Sequence, residues 1–135
     1  MKRSRCDLAE GLLRKAQSDL DAAHACLAAE RALDAVCFHA QQAAEKALKA
    51  YLTTGGVEYP FSHNLEKLVE ICASVDASFG DIKSIGAGLT PYAVELRYDE
   101  EFWPSAPAAR EAVEGAETIR DFVVSRLGMA EGGES

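Results

Sequence analysis

CFHAQQAAEKALKAYL, residues 37–52, decides the fold. Sixteen residues without glycine or proline, rich in alanine, leucine, lysine and glutamate, are strong helix formers. At about 100° per residue, Leu33, Val36, Ala40, Ala44, Ala47 and Tyr51 share one face. Phe38, Gln42, Glu45 and Lys49 share a nearly opposite face, with His39, Ala43, Lys46 and Ala50 between them. A helix touching one neighbour needs no aromatic on its polar side and no alanines at 35, 43 and 50 that let a second backbone approach. Two readings stay open. Phe38, Gln42, Glu45 and Lys49 form a seam against another surface, most simply the same helix of a second subunit. Alternatively they form a solvated face with one stray aromatic.

Working outward, the apolar spacing stays helical. Ala9, Leu13, Ala16, Leu20, Ala23 and Leu27 step by three and four, which predicts a first helix over about residues 5–29 with Lys15, Asp19 and Asp21 outside. A break near Glu30 and Arg31 precedes the second helix, about 32–53, which TTGG ends. VEYPFSHN, residues 57–64, is a loop, because Pro60 disfavours helix at Tyr59. Ser62 or Asn64 caps a third helix whose stripe is Leu65, Leu68, Val69 and Cys72 and which ends near 75. Residues 79–98 keep a helical step but carry Gly86, Gly88 and Pro91, so they form one kinked helix or two short ones, with Thr90–Pro91 as N-cap and first position. A last helix starts near Pro107, with Ala109, Ala112, Ala116, Ile119, Val123 and Leu127 inward. No strand alternation or repeat is visible. The expectation is an all-α, antiparallel up-and-down bundle of about four to five helices, one domain over 1–127, and a disordered glycine-rich tail over 128–135.

The chain has 135 residues, 48% apolar and 27% charged, with net charge −8. That sign disfavours a sequence-independent nucleic-acid binder, which needs surplus Lys and Arg. Lys2, Arg3 and Arg5 are a local basic start, either a solvated terminus or the place of a local RNA contact, which a partner would otherwise have to supply. No apolar run approaches the roughly 20 residues that span a bilayer, and the N-terminus lacks the apolar core of a signal peptide. The expectation is a cytoplasmic protein. Cys6, Cys26, Cys37 and Cys72 show no CxxC and read as reduced, mostly buried hydrophobes. The three histidines lack ligand spacing, so no metal and no cofactor is expected.

Four segments in order, CFHAQQAAEKALKAYL, SHNLEKLVE, YAVELRY and a final amphipathic helix, resemble the HEPN family (higher eukaryotes and prokaryotes nucleotide-binding domain) over about residues 6–127. The resemblance implies a helical bundle that commonly dimerises. It also implies pairing with a minimal nucleotidyltransferase as a two-part toxin–antitoxin system. Many members are metal-independent ribonucleases with an Arg and a His four to six residues beyond it, at the dimer cleft. Here Arg97 is followed by Tyr98, Asp99, Glu100, Glu101, Phe102, Trp103 and Pro104, with no histidine, and the acidic run repels phosphate.

Arg97 therefore carries two readings: a structural bridge, with Glu45 preferred and Glu95, Glu100 or Glu101 as local partners, or a cation facing a cleft. His39 and His63 are either packed, hydrogen-bonded residues or replacements for the missing catalytic histidine. His24 is read as simply exposed. Tyr51, Tyr92 and Trp103 are read as core or rim packing before base-stacking platforms. Three functions result. The first is a binding or regulatory subunit partnered by a minimal nucleotidyltransferase. The second is a metal-independent ribonuclease using Arg97 with His39 or His63. The third is a nucleotide-binding module in which Lys46, Lys49 and Arg97 hold phosphates.

Overall fold

The computed structural model describes residues 3–128. Among them all regular structure is helical: α1 (Arg5–Ala29), α2 (Leu33–Thr54), α3 (Leu65–Val75), α4 (Lys83–Leu89) and α5 (Ala106–Leu127), arranged as an antiparallel up-and-down bundle. The expected tail from 129 onward lies outside the described residues. Lys2 does too.

Local chemistry sets each boundary. Ser4 starts α1 with a capping box, its hydroxyl accepting from the Asp7 amide while the Asp7 carboxylate accepts from the Ser4 amide. The α1–α2 connection takes only three residues, 30–32, because Glu30 and Ala32 both adopt left-handed backbone, with φ of 53° and 52°. For residues with a Cβ this costs on the order of 1 kcal/mol or more each, and the extensive α1–α2 packing offsets it. Gly56, with φ of 69°, ends the turn after α2. That left-handed backbone favours glycine, and the mobile end of the Arg5 side chain packs over the position. Asn64 caps α3 by accepting from the Lys67 amide, and Ser105 caps α5 by accepting from the Ala108 amide.

The segment over 79–98 is neither of the two forms expected. A 3-10 turn, Ala77–Ile82, leads into the seven-residue α4, and a second 3-10 turn, Thr90–Tyr92, follows. Gly86 brings α4 close onto α3, since a Cβ there would stand 3.3 Å from that of Leu65. Thr90 does not cap a helix of its own. Its hydroxyl accepts from the Leu65 amide and donates to the Gly86 carbonyl, so it caps α3 across the fold and closes α4.

The core gathers around α2. Leu20, Val36, Ala40, Ala44, Leu48, Leu52, Leu68, Ile119 and Val123 are fully buried there. Alanines on α2 give little apolar area each, but they let α1 and α5 approach closely, which increases dispersion contacts. Burial raises the Cys37 and Cys72 thiols to about 11 and about 12, so both stay protonated and unreactive. Cys6, by contrast, is exposed. Trp103 also departs from expectation: it is exposed rather than packed. Phe79 knits the 3-10 turn to the bundle, with its ring 4.5 Å from that of Tyr51 and 4.9 Å from that of Phe122. Replacing Phe79 by Ala leaves a cavity at this joint and should lower stability by about 3–5 kcal/mol, read from urea unfolding midpoints.

Candidate functional site

The sequence assigns chemistry to the solvent-side strip of α2, and the fold builds two carboxylate-centred clusters along it. In the first, Asp19 of α1 accepts from Lys46 Nζ at 2.6 Å on one oxygen and lies 2.8 Å from His39 Nδ1 on the other. Asp19 is buried, which corrects the expectation that it stays outside. It sits one helical turn from Ala16 and Ala23, inside the buried stripe of α1, and α2 covers it. An ionised carboxylate only accepts, so the shared proton sits on His39 Nδ1 and Nε2 is left without a partner among the described residues.

In the second cluster, Glu45 is 5% exposed. One oxygen accepts from Lys49 Nζ at 2.8 Å. The other accepts from Gln41 Nε2 at 3.1 Å and lies 2.8 Å from His63 Nδ1. Gln41 also donates to the His63 carbonyl and accepts from Gln42, so the loop after α2 is tied to the helix twice. Burial alone would push the Glu45 carboxyl up. The bonds from Lys49, His63 and Gln41 outweigh it and hold the group below its ordinary 4.5.

Arg97 joins neither cluster. The expected Arg97–Glu45 bridge does not form, because Glu45 is already saturated by α2 and the loop. Among the described residues no carboxylate pairs with Arg97. Its guanidinium instead lies over the Phe38 ring, 4.3 Å from the centroid, and donates to the Tyr98 hydroxyl at 3.0 Å. Stacking on an aromatic face replaces an ion pair for a weakly hydrated guanidinium. At the other end of the strip, Lys49 Nζ lies 5.7 Å from the rings of Tyr59 and Phe61, and Phe61 is 94% exposed. His24 is exposed as expected but lies 2.7 Å from the Glu117 carboxylate.

The predicted residues thus gather in two groups along α2: Arg97, His39 and Lys46 through Phe38 and Asp19, and Gln42, Lys49 and His63 through Glu45. Lys46 and Lys49 are each held by a carboxylate. Gln41 escaped the sequence reading altogether, although its place with Ala44, Leu48 and Leu52 on the helix marks it as buried, and it is wholly so. Among the described residues no group of three His, Cys, Asp or Glu side chains is placed to hold a metal ion, and no helix is long and apolar enough to cross a membrane.

A family model for the HEPN domain matches residues 9–127. Among solved structures, an archaeal HEPN homologue, ST0689, is similar with a TM-score of 0.70 and 24% identity, covering 93% of this chain and 98% of that one. TT1696 from Thermus thermophilus is similar with a TM-score of 0.70 and 26% identity, over 87% of this chain and 96% of that one. No curated protein matches the chain.

The Glu45 cluster makes a signed prediction. Glu45→Gln removes the charge that Lys49 needs and should cost about 1–3 kcal/mol near neutral pH. A depressed carboxyl value stabilises the fold above the unfolded value and loses that contribution as pH falls through the folded one. The gap between wild type and variant should therefore be full above pH 4.5 and close below it, in urea midpoints taken across the acid range.

Proposed function

The chain belongs to the HEPN family, and on that premise we propose that it is a non-nucleolytic binding subunit. In this reading it is a homodimer that docks a minimal nucleotidyltransferase in a prokaryotic, toxin–antitoxin-like pair. One observation carries the proposal: the α2 strip neutralises itself. Two carboxylates, Asp19 and Glu45, take up two ammoniums, Lys46 and Lys49, and both histidines. A strand of RNA needs cations in surplus, and this strip has only Arg97 outside those pairs. Asp99, Glu100 and Glu101 follow Arg97 directly. A neutral seam with half-buried Phe38 and Gln42 suits a protein surface instead, and it lets two copies of a chain with net charge −8 meet without like charges at the contact.

A tagged chain recovered from its native host should bring down a minimal nucleotidyltransferase in stoichiometric amount; recovery of the homodimer alone overturns the pairing. Light scattering of the purified chain should give a dimer, and Gln42→Arg, which sets two arginines against each other near a two-fold axis, should give a monomer. A monomeric wild type overturns the seam.

A second reading rests on a separate observation. His39 and His63 each engage a carboxylate through Nδ1, the arrangement that orients an imidazole for proton transfer through Nε2. With Arg97 stacked one residue away from His39, a rearranged ribonuclease site would use Arg97 with His39 or His63. The purified protein would then cleave RNA in EDTA, and Arg97→Ala would abolish it; intact transfer and messenger RNA pools end this reading.

A further inference from the structure

Away from the α2 strip and sharing no residue with it, α4 and α5 flank an open groove of about 480 Å³. Its floor is apolar, with Leu89 and Ala112 buried and Ile85 half-buried. Its rim is acidic: Glu111 and Glu114 line it, both are exposed, and neither takes part in an ion pair among the described residues. We propose that this groove docks a basic amphipathic segment of a partner polypeptide. An aliphatic side chain of the segment seats on Ile85 and Leu89, and its Lys or Arg side chains pair with Glu111 and Glu114.

Charge, length and depth support that occupant. The two unpaired carboxylates sit on a chain whose net charge is −8, so the field favours a cationic partner. The lining residues of α5 run from 108 to 118, roughly 15 Å at about 1.5 Å per residue, enough for two to three turns of a docked helix. That is longer than a small amine needs. The depth comes from glycine. A Cβ placed on Gly88 would meet nothing within 4 Å, so a partner backbone can approach α4 there. At Gly115 the helices close instead, because a Cβ would stand 3.0 Å from Ile85 Cγ2, and this fixes the floor. Apolar floor and charged rim together make the helix-in-groove mode of peptide recognition, with apolar anchors giving affinity and rim charges giving selectivity.

The test uses the full chain and a short labelled amphipathic peptide of leucine and lysine, followed by fluorescence anisotropy. Gly88→Leu fills the groove without changing any charge and, having open space, should not lower the melting temperature. It should weaken peptide binding by about tenfold or more, which is about 1.4 kcal/mol. Glu111→Gln with Glu114→Gln, a second variant that leaves the floor intact, should weaken binding and flatten its dependence on salt. A version of the peptide with serine in place of leucine should bind far less. Equal binding by Gly88→Leu and wild type overturns the proposal, as does equal binding of the serine peptide, since either means diffuse attraction to an acidic surface. Displacement of the peptide by spermine at equal cationic charge also overturns it in favour of a small-cation site.

Discussion

The burial of α2 on almost its whole circumference is the constraint on which the rest of this molecule depends. A helix covered by α1, α3 and α5 can carry polar side chains only if their partners are supplied inside the protein, because an unmatched buried charge or amide is expensive. Asp19 and Glu45 meet that requirement by dividing their two oxygens between a lysine and a histidine. The same bonds staple α1 to α2 and hold the loop after α2 against it. Structural need and apparent catalytic chemistry therefore occupy the same atoms.

This overlap governs how the strip is to be understood. Two lysines and a histidine on α2, with His63 and Arg97 brought to it from other segments, look like the makings of a phosphate site. The fold spends most of their charge on its own carboxylates, and Arg97 rests on Phe38 rather than reaching toward a cluster. What remains at the surface is a nearly neutral strip bounded by aromatics, Phe38 at one end and exposed Phe61 at the other. On α5, Glu111 and Glu114, outside any ion pair among the described residues, border an apolar groove.

The sequence made the fold legible where spacing and capping act locally. α1, α2, α3 and α5 fall within a residue or two of the expected bounds, because apolar periodicity, Asn64 and the glycines after α2 are signals carried by neighbouring residues. The segment after α3 was less legible. Gly86 and Thr90 act there through α3, and contacts across the chain decide its shape.

By itself, then, the sequence determined an all-helical bundle with α2 at its hub, the family, and most of the polar residues along α2, though not Gln41 or the burial of Asp19. The tertiary structure alone decided how those residues pair. Asp19 reads as a surface residue until α2 is laid across it. Gln41 reads as ordinary until the loop carrying His63 folds back. Arg97 and Glu45 look like natural partners until each is seen to be engaged by something nearer. Helix periodicity is a property of adjacent residues, whereas a buried charge chooses its partner by distance in space, and chain order does not encode that distance.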